Sequence, residues 1–279
     1  MLYETIDLNS IFPEMPKGDV PVTITAYCME NSHEMDLERK YPAIVVFPGG
    51  GYRFTSDREA EPVAHHFLAR GFQVFVVRYS IAPTHYPAQL IQAAAAVAYV
   101  RRNAEKYLID PCKIAVMGFS AGGHLACMIG TLFGEKVISD TIGVSVPDCR
   151  PDAMVLSYPV ITFGIKTHGG SMKNMTGGSS DKNLIYKLSL ENSVTDNTPP
   201  AFIWHTFTDK TVPVENSLYI AEALRKHNIP FELHIFENGP HGLALATKET
   251  TKPSRPDFVN KIASQWTNLC TDWLNKQFE

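Results

Sequence analysis

The sequence predicts an α/β fold: about eight strands in a mostly parallel sheet, with helices on both faces. Three observations carry this. Short apolar runs rich in Val, Ile and Phe recur along the chain, as strands buried on both faces require. Helical patterns separate them, and strand–helix–strand alternation builds a parallel sheet. The chain has 279 residues and is 44% hydrophobic, enough for one large core.

Taken in order, "YETIDL" (3–8) and "VPVTITAYC" (20–28) have no helix between them and are expected to pair antiparallel at the sheet edge. "AIVVFP" (43–48) and "FQVFVVRYS" (72–80) flank a helical stretch, "DREAEPVAHHFLARG", which stops on Gly71. The Ala-rich "PAQLIQAAAAVAYVRRNAEKY" (87–107) then leads to "KIAVMGFS" (113–120) and the helix "AGGHLACMIGTLF" (121–133). "AMVLSYPV" (153–160), "AFIWHTF" (201–207) and "FELHIFE" (231–237) supply the remaining strands. "VENSLYIAEALRKHN" (214–228) and "DFVNKIASQWTNLCTDWLNKQ" (257–277) supply the remaining helices. Residues 161–198 break the rhythm with a long polar stretch rich in Gly and Ser; "DKNLIYKLSLEN" within it reads as a small helix. A connection of that length is usually functional. The segment is read as a cap over the site, inside a single domain spanning 1–279.

Composition excludes several function classes. Against 25 Lys and Arg stand 29 Asp and Glu, a net charge of −4 with no basic block, so neither nucleic acid nor an anionic membrane is an expected partner. The five cysteines form no CxxC pair and are odd in number, which reads as reduced thiols rather than a disulfide framework or zinc site. The first residues, "MLYETIDLNS", lack a basic and an apolar region of a signal peptide, and "LIQAAAAVAYV" is too short to span a bilayer. Cytoplasmic is the default expectation. Homo-oligomerisation is left open.

Within "KIAVMGFSAGGHLA", Gly118 and Gly122 fence Ser120 at a strand-to-helix junction. A sharp turn there leaves no room for side chains two positions either way, and it holds the serine hydroxyl at the carboxyl edge of the sheet: the G-x-S-x-G nucleophile elbow. A serine hydroxyl is a weak nucleophile and needs a base, itself oriented by an acid, in the chain order Ser, acid, His. His241, in "ENGPHGLAL", follows the last strand on a loop at the same edge. Asp209 follows "AFIWHTF" by two residues and faces that loop. The other downstream histidines fit less well. His124 lies in the helix leaving the elbow, His205 and His234 lie within strands, and His227 ends a helix at the opposite edge; His168, in the cap, stays open as an alternative base. Asp196 precedes its strand and belongs to the wrong edge. For the oxyanion, one donor is the N–H of Ala121; the others come from the glycine loop "FPGGGYRF" (47–54).

With these residues assembled, the chain resembles the α/β-hydrolase superfamily, and within it the acetylxylan-esterase-like and hormone-sensitive-lipase-like carboxylesterases. The resemblance runs from "VVFPGGGY" through "KIAVMGFSAGGHLA" and "DKTVPVENSLYIAEALRK" to "GPHGLAL". It implies Ser120 as nucleophile, Asp209 as acid and His241 as base, with Gly50, Gly51 and Ala121 as oxyanion donors. One position departs: Pro48 stands where the family often has His. "HGGSMKN" with "VPVENS" resembles the branch that removes acetyl groups from xylan or xylo-oligosaccharides. The expected activity is hydrolysis of a small-molecule ester, with no cofactor or metal. The alternatives are a related serine peptidase or amidase, and a catalytically silent ligand-binding protein on the same fold.

Overall fold

The computed structural model describes residues 1–279. Eight strands form one sheet: β1 (Leu2–Asp7), β2 (Thr23–Cys28), β3 (Tyr41–Phe47), β4 (Gln73–Arg78), β5 (Ile109–Phe119), β6 (Ala153–Ser157), β7 (Ala201–Thr206) and β8 (Phe231–Phe236). Their order across the sheet is β1-β2-β4-β3-β5-β6-β7-β8. β1 pairs antiparallel with β2, as the missing helix between them predicts, and β2 pairs antiparallel with β4. Every other pairing is parallel.

The near-continuous apolar runs are explained by burial on both faces. Along β3, Ala43, Val45 and Phe47 enter the larger core, while Ile44 and Val46 enter the smaller one behind the sheet. β5 divides in the same way, with Ile114 and Val116 on one side and Ala115 and Met117 on the other. The strand period of two thus serves two cores at once. The helices Ala88–Arg102, Ala121–Leu132 and Glu215–Lys226 contribute to the larger core, and Glu61–Leu68 and Trp266–Phe278 to the smaller. Ala88–Val100 are buried all round. No helix is long and apolar enough to cross a membrane. All five cysteines are free thiols, and only Cys112 is exposed.

Three expectations need correction. The Ala-rich helix ends at Arg102 rather than near 107, because Asn103 leaves helical geometry and its side chain bonds back to the Tyr99 carbonyl. The last helix begins at Trp266, not 257. Ahead of it the Asn260 side chain accepts from the Ile262 and Ala263 N–H groups, giving the backbone an alternative to helix. Within 161–198 the expected helix is present at Lys182–Leu188, and a second, unexpected one spans Gly169–Thr176. Two glycines at its start hid it. Its ends are well marked: the His168 side chain accepts from Ser171 N–H, and Gly177 closes it at φ 65°. Met175, Leu188 and Leu190 of this segment join the larger core.

In-register parallel strands bring their carboxyl ends into one line. Phe47 pairs with Gly118, Phe119 with Ser157, Ser157 with Trp204, and Thr206 with Phe236. The turn after β5 leaves no room for side chains at its glycines. A Cβ on Gly118 would lie 2.0 Å from the Gly122 carbonyl oxygen, and one on Gly122 would lie 2.0 Å from that of Phe47. Both obstacles are backbone and cannot rotate aside. Gly130, in the same helix, would meet the Met154 side chain instead. Gly122→Ala is therefore expected to cost about 3 kcal/mol or more, or to prevent folding. Gly130→Ala is expected to change stability by no more than about 1 kcal/mol, since helix propensity offsets a movable clash. Urea unfolding of the two variants checks the contrast.

Candidate active site

Ser120 sits on the turn at φ 55°, ψ −118°, a strained backbone for a residue with a side chain. Its N–H donates to the Ser157 carbonyl at 3.0 Å and its own carbonyl accepts from Val160 N–H at 3.1 Å, so β6 and its exit hold the turn from outside. The helix Ala121–Leu132 starts immediately afterwards.

The hydroxyl of Ser120 lies 2.7 Å from His241 Nε2, and His241 Nδ1 lies 2.6 Å from Asp209 Oδ2. A carboxylate only accepts, so Nδ1 carries the proton and Nε2 is free to accept from the serine. The other Asp209 oxygen accepts from the N–H groups of Thr211 and Val212, at 2.9 and 3.0 Å. Burial pushes the Asp209 pKa up, but bonds from His205, His241 and Val212 outweigh it and hold the carboxyl well below its ordinary range. The three residues expected from chain order are thus brought into one hydrogen-bonded line.

The remaining candidates separate cleanly. Asp196 pairs with His227 at 2.7 Å, and His234 with Glu232 at 2.7 Å, all away from Ser120. His168 lines the same cavity as Ser120 and His241, but its Nδ1 is bonded to Ser171. His124 is fully buried. Its Nε2 donates to the Leu188 carbonyl at 2.9 Å, so its Nδ1 accepts from the Tyr52 hydroxyl at 2.9 Å, and its ring stacks on Phe163. It ties the glycine loop to the 161–198 segment.

The glycine loop is braced without a histidine at 48. The Tyr79 hydroxyl donates to the Pro48 carbonyl, and Gly49 N–H donates to Glu59 Oε2 at 2.8 Å. The second Glu59 oxygen accepts from the Tyr158 hydroxyl at 2.7 Å, which in turn accepts from Ala244 N–H at 2.9 Å. Arg58 donates to the Gly242 and Thr250 carbonyls. Asn174 Nδ2 donates to the Gly51 carbonyl at 2.8 Å. Gly50 and Gly51 hold φ values of 131° and 65°. The N–H groups of Gly50, Gly51 and Ala121 find no acceptor within the chain, and Gly50 and Gly51 line the cavity beside Ser120. That cavity encloses about 410 Å³, with Phe54 and Phe258 its only hydrophobic lining residues.

Residues missed in the sequence are Glu59 and Tyr158, and one set aside there as a strand residue is His205. The last is buried with Nε2 3.3 Å from Asp209 Oδ2 and 3.0 Å from the Val212 carbonyl.

The BD-FAE family model matches residues 32–224. Endo-1,4-beta-xylanase B of Butyrivibrio fibrisolvens is 41% identical over 223 residues, covering 78% of this chain and 34% of that protein. The acetylxylan esterase of Xylanibacter ruminicola is 33% identical over 211 residues, covering 74% of this chain and 42% of that protein. The chain thus spans well under half the length of these two relatives. The crystal structure of an acetyl ester-xyloside bifunctional hydrolase from Caldicellulosiruptor lactoaceticus superposes with a TM-score of 0.85 at 39% identity, covering 98% of this chain and 96% of that one.

The buried His124 has a measurable consequence. Burial lowers its pKa from 6.5 to about 4. Between these values the unfolded chain binds a proton that the folded chain refuses, so stability falls as pH drops through this window, by at most about 3 kcal/mol. His66 is pushed in the same direction, to about 4, by burial. Urea midpoints near neutral pH and near pH 4.5 should differ less in His124→Gln than in the parent chain, with the His66 share remaining.

Proposed function

The chain belongs to the BD-FAE family of α/β-hydrolases, and from that premise we propose that it is a serine carboxylic-ester hydrolase whose best substrates are short acyl esters of sugars, foremost acetylated xylo-oligosaccharides. The observation that carries the proposal is the line Ser120–His241–Asp209, opening into a cavity with several polar side chains in its lining.

In the reaction, Ser120 Oγ attacks the ester carbonyl carbon and its proton passes to His241 Nε2. Asp209 stabilises the imidazolium and keeps it oriented; its second oxygen is already occupied by two backbone N–H groups, so the carboxylate does not swing. Negative charge on the carbonyl oxygen is taken up by the N–H groups of Ala121, Gly50 and Gly51, which need not release another acceptor first. The tetrahedral intermediate collapses, His241 returns the proton to the departing alcohol, and an acyl-enzyme remains. Water, deprotonated by the same histidine, then releases the acid and regenerates Ser120.

The polar side chains that line the cavity, among them Ser56, His168, Asn174 and Thr211, support a hydroxylated alcohol over a long acyl chain. Two of the similar proteins bear names that speak of acetylxylan or acetyl-ester hydrolysis. The 161–198 segment, which contributes His168, Gly170 and Asn174 to the lining, is proposed as a cap that shapes the alcohol side.

Ser120→Ala should fold and lose turnover by a factor on the order of 10⁴–10⁶. Retention of most activity in that variant would remove the nucleophile assignment. Asp209→Asn should lower turnover by on the order of 10⁴, whereas Asp196→Asn, paired with His227 elsewhere, should leave it unchanged. In a hydrolysis panel, acetylated xylo-oligosaccharides should exceed esters of about eight or more acyl carbons in kcat/KM. The reverse order would overturn the substrate reading.

A further inference from the structure

His168 is placed as the cap of the helix Gly169–Thr176, yet its ring does more than cap. Ser171 N–H lies 3.2 Å from His168 Nδ1, and an amide N–H can only donate, so Nδ1 is an acceptor. The Ser171 hydroxyl, 2.8 Å away, donates to the same nitrogen. This puts the imidazole proton on Nε2. That N–H meets no acceptor in the chain, while the ring lines the cavity that also holds Ser120 and His241. The ring lies over the glycine loop: Cε1 is 3.7 Å from where a side chain on Gly51 would begin. Burial, and then the proximity of His241, push the His168 pKa down, so the ring stays a neutral donor.

We propose that His168 Nε2–H binds an oxygen of the alcohol half of the ester, a hydroxyl on the carbon next to the esterified one, and thereby selects polyol and sugar esters over simple alkyl esters. The inference rests on the esterase reading above. In an acetyl ester the carbonyl oxygen goes to the backbone donors of Ala121, Gly50 and Gly51, and the methyl offers no acceptor. The only oxygen left for His168 is one on the alcohol. The neighbouring Asn174 Nδ2 directs one of its two N–H groups to the Gly51 carbonyl. His168 Nε2–H makes no bond within the chain, and its proton is fixed by a bond on the far side of the ring.

The test compares 2-hydroxyethyl acetate with propyl acetate, which differ in the hydroxyl, in the parent chain and in His168→Asn. Asparagine keeps a cap acceptor for Ser171 N–H but is too short to carry a donor to the Nε2 position. The readout is the ratio of kcat/KM for the hydroxylated ester to that for the alkyl ester. The parent chain should prefer the hydroxylated ester, and His168→Asn should lower that preference on the order of fivefold, the worth of one hydrogen bond. A purely capping role would change both esters alike and leave the ratio where it was. An unchanged ratio, or a parent chain with no preference, overturns the inference while esterase activity stands. Failure to hydrolyse either ester, or phenyl acetate, overturns the esterase reading and this inference with it, and is a distinguishable outcome.

Discussion

A single backbone torsion organises the site. With Ser120 at φ 55°, the chain reverses from β5 into a helix within one residue, and the hydroxyl is lifted clear of the sheet edge. The arrangement persists because the surroundings leave no alternative. The Gly122 carbonyl presses on Gly118, the Phe47 carbonyl presses on Gly122, and β6 holds the serine N–H. Strain of this kind costs on the order of 1–3 kcal/mol and survives only where packing over-determines it. The two cores on either side of β5 do that.

A second constraint joins parts that are remote in sequence. Glu59 is buried and holds Gly49 N–H with one oxygen and the Tyr158 hydroxyl with the other; Tyr158 reaches Ala244, three residues past His241. Arg58, next in the chain, holds Gly242 from the other side. The glycine loop and the histidine loop are therefore clamped to one short turn, Asp57–Glu59. A buried carboxylate satisfied by one amide and one phenol is costly to expose on either side, which makes the spacing between the two loops rigid.

Much of this was legible in the sequence, and the reasons differ by residue. Gly118, Ser120 and Gly122 announce themselves because their constraint is local: each glycine is demanded by atoms within a few residues or on the adjacent strand. Asp209 and His241 follow from topology, since parallel strands place what comes after them at a common edge. Glu59 and Tyr158 do not, because they are 99 residues apart and nothing local requires either. The helix Gly169–Thr176 was hidden by its glycines, whose poor propensity is overridden by a histidine cap and by Met175 in the core. His205 looked like an ordinary strand residue; only the fold turns its ring toward Asp209.

The double attachment of the 161–198 segment bears on how such a site can change over generations. Asn174 grips the Gly51 carbonyl, and Leu188 receives the bond from His124, whose other nitrogen holds Tyr52. The segment is both wall and scaffold for the glycine loop. It cannot be swapped as an independent module, nor swing away to admit substrate, without loosening the backbone donors beneath it. Change at the cavity is then channelled into exposed rim positions whose side chains make no hydrogen bond to either attachment, such as Arg53 and Phe54.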